Sequence, residues 1–176
     1  MEIDAHSGAW YDRLAQMQQG YFYPWKSTMP PFNGEDTYLE MVKQHLSPDK
    51  DVLDCGCGHG EVPIEIAPLC RSVTGYDRTA AYIDLAQQAA QAQNVRNVTF
   101  VHANASAKYN NGQVRIPAEA DTFDLLISRR GPTHWIEDAR RVARSGAVLI
   151  QLNPAGNAVP PWLAYQIAGV VYDLLM

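Results

Sequence analysis

The stretch Asp54-Cys55-Gly56-Cys57-Gly58-His59-Gly60 follows directly on the apolar run Val52-Leu53 and leads into a helical pattern that begins near Glu61. Three alternate glycines at a strand-to-helix junction let the backbone turn tightly and come close to a ligand without side-chain obstruction, while N–H groups at the helix start attract an anion. From Asp51 onward, short apolar runs alternate with helical stretches, which is the pattern of a parallel sheet with crossover helices. The predicted strands are Val52–Cys55, Ser72–Tyr76, Val98–His102, Phe123–Ser128 and Ala147–Leu152, and the predicted helices are Glu61–Leu69, Ala80–Gln93 and His134–Ala143. Right-handed crossovers place such helices on both faces of the sheet, so the expected fold is α/β, a Rossmann-like doubly wound and mostly parallel sheet. Asn104 to Asp121 is longer than such a connection needs and carries Asn110, Asn111, Gly112 and Pro117, which reads as a loop with a function.

Upstream, Ala9 to Gln19 brings Trp10, Leu14 and Met17 to one helical face, with Gly20 as a stop. Tyr21 to Phe32 holds Pro24, Pro30 and Pro31 among aromatic residues and reads as a loop; a second helix is expected over about Glu35 to Leu46. Residues 1–48 are therefore expected to form an N-terminal helical cap or lid, and 49–176 the ligand-binding domain. The whole chain of 176 residues, 47% apolar and 19% charged, suits one globular unit. A net charge of -5 counts against a polyanionic partner such as nucleic acid or an acidic membrane surface. Three cysteines and no apolar leader or spanning run fit a soluble protein of the reducing cytoplasm.

Asp77 closes the second strand about twenty positions after the glycine turn, where in a doubly wound sheet a carboxylate can accept both hydroxyls of a ribose. Turn and carboxylate together point to a nucleoside cofactor. A nicotinamide dinucleotide brings a pyrophosphate and asks for G-x-G-x-x-G; here the spacing is G-x-G-x-G and Asp54 would repel it. S-adenosylmethionine instead presents an ammonium, which a carboxylate favours, and a carboxylate, which helix N–H groups favour.

These residues resemble the class I S-adenosylmethionine-dependent methyltransferases: VLDCGCGHG is similar to the family's first motif, GYD to its acidic second-strand end and FDLLISRRG to its fourth strand, over about residues 50–152. The resemblance implies that Asp54, Gly56, Cys57, Gly58 and Gly60 line the methionine part of S-adenosylmethionine. It implies that Asp77, with Arg78 beside it, binds the ribose, and that Asn104-Ala105 sits by the adenine. Asn104 stands where the family commonly has Asp, keeping a carbonyl acceptor but not the charge. The family sheet usually ends in an antiparallel hairpin, yet nothing strand-like is expected after Leu152 and Val159 to Met176 reads as helical. The fold is thus expected to lack its C-terminal β-hairpin. The fifth strand would then be an exposed edge, in a truncated or shortened chain or in an oligomer joined through that edge.

Methyl transfer is an in-line displacement that needs alignment more than a triad, with a base where the acceptor is a hydroxyl or thiol. His134, just past the fourth strand, is the candidate base, with His102 or an N-terminal tyrosine as alternatives. Arg129 and Arg130 suit an anionic group on the acceptor, and Tyr11, Tyr23 and Trp25 belong to an aromatic lid over it. Arg140, Arg141 and Arg144 read as the solvent face of the following helix. Cys55, Cys57 and His59 do not close a metal site by themselves, so no metal is expected. The sequence lacks the Asn-Pro-Pro-Tyr type of segment after the fourth strand, so the expected acceptor is a small polar molecule rather than a base or amide nitrogen. The alternative is a cofactor-binding regulatory or interaction module without turnover, and a nicotinamide-dependent reductase is a third reading.

Overall fold

The computed structural model describes residues 7–20, 34–152, 165–167 and 170–175. Helix α1 (Gly8–Gln18) starts on Ser7, whose hydroxyl accepts from the Trp10 amide at 3.2 Å. Its buried residues are Leu14 and Ala15, while Met17 is 61% exposed, so the expected Trp10, Leu14, Met17 face is corrected. The packed stripe is the one that meets helix α4. Helix α2 (Glu35–Gln44) sends Tyr38 and Val42, one turn apart, fully into the core beside Val52, Ile127 and Ile150.

The rest follows the expected alternation: β1 (Asp51–Cys55), α3 (Glu61–Ile66, continued by a 3-10 turn at Ala67–Leu69), β2 (Ser72–Asp77), α4 (Ala80–Ala92), β3 (Val98–His102), β4 (Phe123–Arg129), α5 (Ile136–Val142) and β5 (Ala143–Leu152). Two further strands, β6 (Tyr165–Ile167) and β7 (Val170–Leu175), complete a seven-stranded sheet in the order β3-β2-β1-β4-β5-β7-β6. Strands β1 to β5 run parallel, β7 lies parallel to β5 with Val148 opposite Val171, and β6 is antiparallel to β7. The doubly wound fold is the one expected. The missing hairpin and the helical tail are not: a short apolar run has no periodicity that separates helix from strand, and Val170, Val171 and Tyr172 favour a strand once β5 offers its edge. That edge is covered by β7, which removes the reason for expecting an oligomer there.

Chain order reverses between β1 and β4, so the crevice opens at the carboxyl ends of the strands at that point. The opposite end of the sheet is held by charge. Asp51 pairs with Arg71 and, at 2.9 Å, with Arg144; Arg144 also reaches Asp124 at 2.6 Å, and Asp124 accepts from the Asp51 amide at 2.9 Å. The connection after β3 is pinned rather than free. Arg141 donates to the carbonyls of Ala118 (2.6 Å) and Ile116 (2.9 Å), and Asp138 accepts from the Ile116 amide at 2.8 Å. Arg141 and Arg144 are therefore structural ion-pair residues and not a solvent face, a role that pairing across the fold decides and helical spacing does not show.

Candidate active site

The glycine turn is built by contact as much as by conformation. Gly56 has φ of 80°, and a Cβ there would lie 2.7 Å from Pro132 Cδ; at Gly60, φ 83°, it would lie 2.7 Å from the Phe100 ring. A side chain at either position meets a wall as well as a disfavoured backbone. Gly58 has φ of 54° and open space around it, the place for a ligand to approach. The N–H groups of the turn are largely used within the protein: those of Gly56 and Cys57 donate to the Tyr76 carbonyl, and that of Gly60 to the Cys57 carbonyl. The expected attraction of an anion by free amides is thus left to the first turn of α3.

Asp77 does more than sequence reading assigned to it. Its Oδ2 accepts from the Gly58 amide at 3.0 Å and its Oδ1 from the Thr79 amide at 2.8 Å, so it ties the end of β2 to the glycine turn. Burial raises its pKa, against the lowering effect of those backbone bonds. Each oxygen has lone-pair capacity beyond these amides for a hydroxyl. Asp54 is 3% exposed, its Oδ1 has no hydrogen-bond partner among the described residues, and burial pushes its pKa up to about 7, with Arg129 acting to lower it and Asp77 to raise it. A buried carboxylate oxygen without a donor is a place made for one. An ammonium supplies it, so the residues present fit the amino acid end of S-adenosylmethionine.

One cavity of about 1010 Å³ gathers most of the residues singled out from sequence: Asp54, Gly56, Cys57, Gly58, Asp77, Arg78, Asn104, Ala105, Arg129, His134 and Tyr11 all line it. Gly60 shapes the turn from behind and does not line it. Asn104 turns its side-chain carbonyl to Ser106, accepting from its amide at 3.0 Å and its hydroxyl at 2.8 Å, so both lone pairs serve the local turn rather than an adenine amino group. Arg129 pairs with Glu61 and stands 3.7 Å from Glu35. Tyr11 lies under the Arg78 guanidinium, 4.9 Å from ring centroid to Cζ. Burial lowers the pKa of His134, while His102 bonds the Arg78 carbonyl at 3.0 Å and does not line the cavity. Tyr23 and Trp25 lie outside the described residues. Cys55 is fully buried as an apolar strand residue, and no group of three or more metal-binding side chains occurs among the described residues.

Sequence reasoning missed Glu35 and Pro132 as lining residues, while Arg130, read together with Arg129 as a candidate for an anionic group, does line the cavity. Glu35 comes from α2, which no motif marks. Gly131-Pro132 directly after a strand end was the available signal for a turn pressed against the glycines: a Cβ at Gly131 would lie 2.5 Å from Ser128 Oγ and 2.8 Å from the Cys55 carbonyl.

Comparison with known proteins agrees with this geometry. The family described as Methyltransferase domain matches residues 52–156. The chain is 28% identical over 119 residues to the 23S rRNA (uracil(1939)-C(5))-methyltransferase RlmD of Vibrio parahaemolyticus, a match spanning 66% of this chain and 27% of that protein. The chain thus spans about a quarter of the length of the curated relatives it matches. A functionally unknown protein of Deinococcus radiodurans superposes with a TM-score of 0.60 at 29% identity, covering 78% of this chain and 60% of that one. Phosphoethanolamine N-methyltransferase 1 of Haemonchus contortus, solved with phosphoethanolamine and S-adenosylhomocysteine, shares the fold at a TM-score of 0.52 and 17% identity, covering 65% of this chain and 24% of that one. The fold and site define a Rossmann-like nucleoside-binding domain of the methyltransferase kind. This chain belongs to the methyltransferase domain family, and its cofactor is S-adenosylmethionine.

Proposed function

We propose that this domain transfers a methyl group from S-adenosylmethionine to a small polar molecule carrying an anionic group. The observation that carries the reading is one cavity lined both by the glycine turn with Asp54 and Asp77 and by Arg130, His134 and Tyr11. Its volume of about 1010 Å³ is at the upper end for small-molecule sites, room for a cofactor and a modest acceptor side by side. Bound S-adenosylmethionine supplies an electrophilic methyl group. Asp54 accepts from the ammonium, Asp77 from the ribose hydroxyls, and Asn104-Ala105 borders the adenine, with Cys57 and Arg78 flanking. His134, held neutral by burial, takes the proton that the acceptor loses. Alignment of acceptor and methyl group contributes most of the acceleration.

The curated relatives are named as rRNA methyltransferases, but a net charge of -5 favours a small acceptor over a polyanion. No helix among the described residues is long and apolar enough to cross a membrane. The test is release of S-adenosylhomocysteine on a panel of small carboxylic and phosphorylated molecules, their neutral amides and esters, and structured RNA. Turnover on the small anions is expected. Turnover on RNA alone overturns the acceptor class, and tight cofactor binding with no turnover on any member favours the regulatory module.

A further inference from the structure

Arg130 stands out by its backbone. It has φ of 55°, and the other described non-glycine residues with positive φ are Gln19, Asn94, Asn111 and Asp121, none of which lines the cavity. Left-handed backbone is costly for a long side chain, and such strain persists where surrounding structure enforces it. Here the enforcement is visible. The Arg130 amide donates to the Leu152 carbonyl at 2.8 Å, and the following Gly131-Pro132 is pressed on Cys55 and Gly56. Arg130 thus lines the cavity directly before the Gly131-Pro132 that packs on the glycine turn.

Only part of the Arg130 guanidinium is used. Arg130 Nε stands 3.0 Å from Glu35 Oε1 and its charge also acts on Glu61, while Nη1 and Nη2 make no hydrogen bond to another described residue. The other cations at the cavity are differently placed. Arg129 is shared between Glu61 and Glu35, Arg78 covers the Tyr11 ring, and Lys108 lies 5.4 Å from the Tyr109 ring centroid. The Nη1–Nη2 edge of an arginine takes an oxyanion through two parallel N–H···O bonds, a geometry that lysine does not reproduce.

We propose that Arg130 is the specificity residue of the acceptor site, receiving a carboxylate or phosphate of the methyl acceptor on its Nη1–Nη2 edge while Glu35 holds its Nε. This rests on the methyltransferase reading above and narrows the anion site from the pair Arg129 and Arg130 to Arg130. Glu35 then acts as a positioning residue, and α2 contributes to acceptor choice.

The experiment is thermal denaturation at saturating S-adenosylhomocysteine with inorganic phosphate and, separately, acetate, against sodium chloride of equal ionic strength. At about ten times its dissociation constant, at least one oxyanion is expected to raise Tm by about 3–6 °C in the natural protein. That rise is expected to vanish in Arg130→Gln and in Arg130→Gly, the second a variant whose backbone suits the left-handed position. The arm that responds tells phosphate from carboxylate. With an acceptor from the panel, Arg130→Gln is expected to raise KM at least tenfold with kcat and S-adenosylhomocysteine affinity within twofold. Equal oxyanion responses in all three proteins, or none in the natural one, overturn the proposal. Failure of S-adenosylhomocysteine to bind would strike the methyltransferase reading instead, and the same titration without it still decides Arg130.

Discussion

Asp54 carries a free-energy cost, which the ammonium of the cofactor relieves in the proposed reading. Its pKa is pushed up to about 7 by burial, against an unfolded value near 4. The native state therefore holds a proton that the unfolded chain has released, and stability from this group is greatest below about pH 4 and falls as pH rises toward 7. Asp54→Asn is expected to unfold at higher denaturant than the natural protein at pH 7.5, with the difference gone at pH 4, as followed by urea titration. Cofactor affinity runs the other way, since an ammonium wants the ionised carboxylate. Calorimetry is expected to show affinity rising up to about tenfold from pH 6 to pH 8, with proton release, and Asp54→Asn losing that slope. Asp77 has two duties, so its variants separate them. Asp77→Ala orphans the Gly58 and Thr79 amides and is expected to cost about 1–3 kcal/mol of stability as well as most cofactor affinity. Asp77→Asn keeps one acceptor oxygen and is expected to lose affinity with a smaller fall in Tm.

At the scale of the elements, the glycines of one turn are not equivalent. Gly56→Ala puts a methyl group 2.7 Å from Pro132 in a left-handed backbone, whereas Gly58→Ala meets only the backbone penalty. Denaturant unfolding is expected to show about 1 kcal/mol lost for Gly58→Ala and at least twice that for Gly56→Ala. The charged staple at the amino ends of β1, β2, β4 and β5 has its own signature. Arg71, more than the Ser72 hydroxyl and Arg144, holds the Asp51 carboxyl well below the usual range. Its contribution is present above about pH 4 and lost as pH falls below that. Asp51→Asn is expected to lower Tm at pH 7 and to flatten the acid limb of the Tm profile.

For the whole molecule, the N-terminal segment and the sheet share one core. Tyr38 and Val42 of α2 are fully buried with β1, β4 and β5, so Tyr38→Ala is expected to cost about 3–5 kcal/mol. The Tyr38 hydroxyl is buried without a hydrogen-bond partner among the described residues, so Tyr38→Phe is expected to leave Tm unchanged or raised. Scanning calorimetry of the two variants checks both.

The alternation of apolar runs and helices, the glycine turn and Asp77 were legible in the chain because each depends on residues close in sequence: a period of two or of 3.6, and a backbone angle that glycine permits. Those local rules determined the doubly wound sheet and which end of it holds the cofactor. The strands after Leu152 were not legible, because a short apolar run becomes a strand only when a neighbouring edge offers it hydrogen bonds. Arg141 and Arg144 read as solvent-facing until carboxylates and carbonyls from distant segments were brought to them. Which carboxylates Arg129 and Arg130 pair with was decided by two glutamates, one on α2 and one on α3, brought to them by the fold. Identity along the chain says which groups are available, and only the packed fold says which are already neutralised and which still face a ligand.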